Sequence, residues 1–223
     1  MTRSFSDILL RPGAFFADLM GQKDESLKWP LLIVLAGGIV AAGYGYLIGG
    51  LTAQMMAGAY PGIDVIILLS TIIGAALGVF IFWLVWTAVV FALSMAFKGE
   101  GSVKSTLQVV GYGYLPQVIG SVVTLIVAYE YVPKIVVPQV TSAMLQDPVA
   151  MQAVTKALLL DPAMLELTQI TSLIAIVFLL WSANIWIFGI QQARKLSPRD
   201  AALCVGIPVV AYIIYMIYNL GVS

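Results

Sequence analysis

Five uninterrupted apolar runs, over residues 30–52, 65–97, 107–129, 169–192 and 201–220, constrain this chain more than any other feature. Each approaches or exceeds the roughly 20 residues that cross a bilayer as an α-helix. In hydrocarbon every backbone N–H and C=O must find a partner within the protein, which leaves only helices and closed barrels. Barrel strands alternate apolar and polar residues; these runs are continuous, so helices are expected. Composition agrees, because 61% of the residues are hydrophobic and 10% charged, whereas a soluble domain is about half apolar and about a quarter charged. The expected fold class is all-α: a polytopic membrane protein with five transmembrane helices, an amphipathic amino-terminal segment over 1–29 and a membrane domain over 30–223. The second run is longer than a perpendicular crossing needs, which implies tilt or a projecting helical end.

An odd number of crossings puts the termini on opposite sides, and the cations decide which is which. Arg3, Arg11, Lys23 and Lys28 precede the first run, Lys98 and Lys104 lie between the second and third, and Arg194, Lys195 and Arg199 lie between the fourth and fifth. Only Lys134 and Lys156 fall on the other face, in company with Glu130, Asp147, Asp161 and Glu166. Retention of Lys and Arg on the inner side predicts a cytoplasmic amino terminus and a carboxyl terminus on the opposite side; in a prokaryote the membrane crossed would be the cytoplasmic one. The first run starts too far in, and lacks a small-residue cleavage site, so it is expected to stay in the mature protein rather than act as a signal peptide.

Ahead of the first run, Phe5, Ile8, Leu9, Phe15, Phe16, Leu19 and Met20 are interspersed with Arg3, Asp7, Arg11 and Asp18 around Pro12-Gly13. This reads as two short amphipathic helices, lying either in the inner headgroup layer or beneath the bundle. The long outer connection, 130–168, contains Asp147-Pro148 and Asp161-Pro162, each a capping carboxylate before a proline suited to the first turn. A helix is expected from about residue 148 to 160, offering Met151, Val154, Leu158 and Leu159 to an apolar surface. The second cap either extends the fourth span outward or begins a separate element.

Several chemistries are excluded. The chain has no histidine and a single cysteine, Cys204, inside an apolar run. It therefore lacks the commonest general base, an internal disulfide and a thiolate cage. The eleven basic and eleven acidic residues balance, so no global field draws nucleic acid. No charged residue falls mid-span; Asp64, Glu100, Glu130 and Asp200 sit at span ends. Such residues usually mark ion paths or catalysis in membranes, so catalytic, cofactor-binding and metal-binding residues are not expected. Gly45 with Gly49, and Gly74 with Gly78, have the GxxxG spacing that lets helices approach closely, within one chain or across a dimer. Trp83, Trp86, Trp181 and Trp186 are expected to anchor or pack.

The third run contains Gly111-Tyr112-Gly113-Tyr114-Leu115-Pro116-Gln117. Pro116 has no N–H for the Tyr112 carbonyl, and nearby glycines ease bending, so an interruption of the helix is expected there. At 1.5 Å per residue Gln117 lies roughly 15 Å from the cytoplasmic end of its helix, with Asn184 and Pro208 at similar depth. Because an amide in lipid lacks partners, Gln117, Asn184, Thr87 and the Tyr112 and Tyr114 hydroxyls are expected to turn inward and bond one another or the freed carbonyl. Two roles fit them: structural glue, or a small polar cavity accepting a lipid headgroup, an ion or a partner helix.

The GYGYLP run resembles the glycine-tyrosine motif of the Yip domain family, the Ypt/Rab-interacting membrane proteins. Arg11-Pro12-Gly13-Ala14-Phe15-Phe16 is similar to the proline and paired-aromatic segment before the first span in prokaryotic members. Asp18-Leu19-Met20-Gly21 partly matches a motif of eukaryotic ones, with Met20 where those have tyrosine. The resemblance implies five spans with a cytoplasmic amino terminus; a non-enzymatic role is expected because the sequence offers no metal or carboxylate cluster for lipid chemistry. The expected function is to organise membrane or recruit partners, lipid or protein, a homodimer included, through the basic turns at Lys98, Lys104, Arg194, Lys195 and Arg199. The rival is a small channel or transporter with its path along Tyr112, Gln117 and Asn184.

Overall fold

A computed structural model describes residues 5–22 and 26–222, with side chains described to residue 220. Arg3 and Lys23, counted above among the cations, lie outside the described residues. Among those described there are nine α-helices and no strand. They are α1 (Phe5–Leu10), α2 (Pro12–Gly21), α3 (Lys28–Met56), α4 (Asp64–Ala96), α5 (Val103–Gly113), α6 (Leu115–Tyr131), α7 (Pro148–Leu159), α8 (Pro162–Ala193) and α9 (Pro198–Val222). Five segments are long and apolar enough to cross a membrane: α3, α4, the α5–α6 unit, α8 and α9.

Helix limits follow local chemistry. Pro12, Pro148, Pro162 and Pro198 each open a helix, where a missing N–H costs nothing. Asp147 accepts from the N–H groups of Val149 and Ala150, and Asp161 from those of Ala163 and Met164, so both expected caps form. The second cap begins a single helix that includes the whole fourth span. The expected interruption in the third span falls at Tyr114, whose N–H donates to the Gly111 carbonyl at 3.3 Å before α6 restarts.

α3 and α4 form the most extensive helix pair. Gly45 and Gly49 permit it: a Cβ on Gly45 would stand 2.6 Å from the Thr71 carbonyl oxygen, and one on Gly49 would strike the Thr71 side chain. The other GxxxG pair does not pack within the chain. A Cβ at Gly74 or Gly78 would meet nothing within 4 Å, and both face outward.

α8 is the central element, packed against α2, α5, α6 and α9. At one end of the bundle, here the α2 end, lies the principal core of Phe16, Trp83, Trp86, Val109, Trp186 and Ile190 with their neighbours. At the opposite, α7 end, the chain between α6 and α7 crosses the end of α3. Val140 N–H donates to the Met55 carbonyl at 2.8 Å and the Ser142 hydroxyl to the Ala59 carbonyl at 3.0 Å. Val154 on α7 closes a small cluster with Ala59 and Val140, with Met151 packed beside it. Leu158 packs on a second cluster, whereas Leu159, expected to be covered, remains exposed.

The lateral surface is apolar on every long segment. Leu35 and Ile39 on α3, Ile66, Ile73 and Leu77 on α4, Ile126 on α6, Val177 on α8 and Ile214 on α9 all point outward. A continuous belt of this kind is the reverse of a soluble surface and requires hydrocarbon around it.

Candidate functional site at the α5–α6 break

Four consecutive residues at the break each meet a different part of the bundle. Gly111 lies against the first turn of α3 and against α4: a Cβ there would stand 2.6 Å from Pro30 Cβ and 3.1 Å from Trp83 Nε1. That indole N–H donates to the Leu107 carbonyl at 3.0 Å. Tyr112 is buried and meets α2, with its ring centroid 5.2 Å from Phe15 and 6.3 Å from Phe16, both edge-on. Gly113 leaves room for the Trp186 indole of α8, which donates to the Val110 carbonyl at 3.0 Å; a Cβ at Gly113 would clash with that ring. Tyr114 packs against Phe82 of α4 and against Gly37 of α3, where a Cβ would stand 3.0 Å from Tyr114 Cε1.

The glycines are thus small because indoles or a proline ring occupy the space, and the tyrosines are large because they fill gaps between helices. Trp86 extends the aromatic array, 5.3 Å from Trp186 and 5.5 Å from Phe82. One turn further along the same face of α8, Gly189 admits the fully buried Phe16. The amino-terminal helices are therefore docked on the bundle. Ile8, Phe15, Phe16 and Leu19 are buried, and the Trp181 indole donates to the Leu9 carbonyl.

The expected polar layer is only partly assembled. Tyr114 and Gln117 do share a small cavity of about 160 Å³, lined also by Phe82, Ala175, Leu179 and Tyr212. The Gln117 Nε2 is buried there without a hydrogen-bond partner among the described residues. Thr87 instead bonds its own helix, its hydroxyl donating to the Trp83 carbonyl at 2.7 Å. Asn184 does not join the layer either; it is exposed on the outer face of α8. Ala183, Trp186, Gly189, Ile190 and Ala193 form the packed face of that helix, which rotates Asn184 outward beside Leu180 and Phe188. Tyr112, Gln117 and Asn184 consequently do not line one path, which counts against the rival reading of a channel along them.

A second correction concerns the basic turns. Arg194, expected to face headgroups, is buried with 2% of its surface exposed. Its Nε donates to Ser94 Oγ at 2.8 Å, Nη2 to the Gly99 carbonyl at 2.8 Å, and Nη1 to the Gly101 carbonyl. The guanidinium carbon lies 4.3 Å from the Phe91 ring centroid. Burial lowers the Arg194 pKa from its ordinary value, although a guanidinium stays protonated throughout the physiological range. In return the Glu100 N–H donates to the Arg194 carbonyl at 2.9 Å, and Lys195 Nζ pairs with Glu100 at 2.9 Å. The hydrogen bond and charge of Lys195 hold the Glu100 carboxyl below its usual range. The α4–α5 and α8–α9 turns, separate in sequence, are clasped into one knob, with Lys98, Lys104, Lys195 and Arg199 on its exterior. Positive φ angles at the non-glycine residues Lys98 and Lys195 mark where the chain bends tightly to make it.

A five-span apolar bundle, with an amphipathic amino-terminal pair docked on the fourth span and on the broken third, defines an integral membrane protein. The chain belongs to the Yip1 domain family, whose model matches residues 6–219. It is 37% identical over 127 residues to an uncharacterized protein of the archaeon Methanocaldococcus jannaschii, covering 55% of this chain and 86% of that one, which supports a prokaryotic member of the family. No solved structure matches it.

Proposed function

We propose that the protein is a non-enzymatic organiser of the membrane, which engages anionic lipid headgroups or a protein partner at its α2 end. In this reading that end faces the cytoplasm, with the amino terminus, and the carboxyl terminus lies on the opposite side. The observation that supports it most is the clasp around Arg194. Because Arg194 is used internally to brace two turns, Lys98, Lys104 and Arg199 stand on a knob of fixed shape. Basic side chains close to an anionic leaflet contribute on the order of 1 kcal/mol each. The exposed Leu10 and Arg11 of the docked amino-terminal segment lie at the same end and add an apolar and a cationic contact.

The experiment is photo-crosslinking in native membranes from probes at positions 98, 104 and 199, with a probe at Val149 on α7 as the opposite-end control. Lipid or protein adducts at the first three positions and not at the fourth support the reading. Silence at all three counts against it.

A further inference from the structure

The α7 end carries a groove that the proposal above leaves unused. It has a volume of about 480 Å³ and lies between the last turns of α3, the first turns of α4 and the 3-10 turn at Val132–Lys134. Leu47, Leu51, Leu68 and Ile135 line its apolar part, and Gln54 and Asp64 stand at its rim. A cleft of about 290 Å³ adjoins it, sharing Gln54 and Asp64 and adding Tyr60.

Polarity changes along this groove in one direction. From Gln54 back to Leu47 is seven residues of α3, about 10 Å along the helix axis. The polar rim therefore lies at the helix ends, and the apolar wall lies deeper in the bundle. An occupant needs a polar head at the end of the bundle and an apolar stem running parallel to the helices, which is the layout of a lipid.

Charge narrows the head. The Asp64 side chain is exposed and makes no hydrogen bond or ion pair among the described residues. The nearby Lys134 is directed onto the Tyr131 ring, 4.8 Å from its centroid. A carboxylate without an ion-pair partner at the mouth of an apolar slot disfavours an anionic headgroup and suits a cation. A primary ammonium also donates hydrogen bonds to it, which a trimethylated one cannot. We infer that this groove binds an amine-headed phospholipid of the ethanolamine type, with its ammonium on Asp64 and an acyl chain along Leu47, Leu51 and Leu68. The Gln54 amide and Tyr60 hydroxyl stand at the rim as donors for the phosphate.

Native mass spectrometry of the full chain, with phosphatidylethanolamine, phosphatidylcholine or phosphatidylglycerol added, tests the inference. Ethanolamine lipid is expected to be retained about tenfold better than glycerol lipid, a difference near 1.4 kcal/mol. Asp64→Asn should erase that preference. Gly50→Leu should remove the bound lipid without unfolding the protein, because Gly50 lines the groove and a Cβ there meets nothing within 4 Å. Retention of the choline or the glycerol lipid equal to that of the ethanolamine lipid, a preference that survives Asp64→Asn, adducts undiminished by Gly50→Leu, or no adduct at all would overturn the inference. So would competition by free ethanolamine at equal concentration, since the site would then take the amine alone.

Discussion

Phe15 of α2 meets Tyr112 of α5 edge to face, with ring centroids 5.2 Å apart and planes at 75°. The two residues belong to two of the segments through which the sequence resembles the family, and 97 positions of chain separate them. Their contact, with Phe16 beside them, turns an amphipathic leader into part of the core. It places the docking of α2 and the break between α5 and α6 in one packing unit.

Removing Phe16 should therefore cost far more than removing an exposed neighbour. Phe16→Ala empties a fully buried site between Tyr112, Val109 and Gly189. The expected loss is about 3 kcal/mol or more, read as a fall in Tm in detergent. Leu10→Ala, at a residue 76% exposed, should leave Tm almost unchanged.

The glycines separate in the same way. Gly113→Ala drives a methyl into the Trp186 indole and should cost about 1–3 kcal/mol. Combining it with Trp186→Phe should recover part of that loss, which a double-mutant cycle measures. Gly74→Ala, where a methyl meets open space, should be neutral or stabilise by up to about 1 kcal/mol through helix propensity.

The knob depends on Arg194. Arg194→Lys keeps a positive charge but cannot reproduce the fork to Ser94, Gly99 and Gly101. A loss on the order of 3 kcal/mol is expected, because buried carbonyls are left without donors. Limited proteolysis should then cut near residues 98–102, where the wild-type protein resists.

The pair on the knob surface titrates. Lys195 lowers the Glu100 pKa, so the folded state holds this carboxylate more strongly ionised than the unfolded chain does. The resulting stability is fully present above the unfolded value, near 4.5, and disappears as pH falls below it through the lower folded value. Glu100→Gln should lower Tm slightly at pH 7 and no longer do so well below pH 4.5. Both groups are solvent-exposed, so the effect should also shrink in high salt.

What sequence could disclose here was whatever local chemistry decides. The five spans, the caps at Asp147 and Asp161, and the interruption ahead of Pro116 each depend on residues within one or two turns. The facing of a helix depends on its partners, and there the reading of α8 erred. The polarity of its amide argues for turning Asn184 inward, yet the spacing of Ala183, Trp186, Gly189, Ile190 and Ala193 marks the packed face and excludes position 184 from it. Arg194 was hidden for a different reason. A cation just after a span is what insertion topology requires, so its second role, as a brace between turns about a hundred residues apart, left no separate trace.

The account rests on a bundle that crosses the bilayer five times, with its α2 end and its α7 end in different compartments. Cysteine labelling measures this directly. Cys204 is fully buried, so Cys204→Ser gives a silent background, and single cysteines replace Lys104 near the knob and Val149 on α7. In sealed right-side-out vesicles, a membrane-impermeant thiol reagent should label position 149 and spare position 104 until the membrane is opened. Labelling of both positions from the same side of an intact membrane would contradict it.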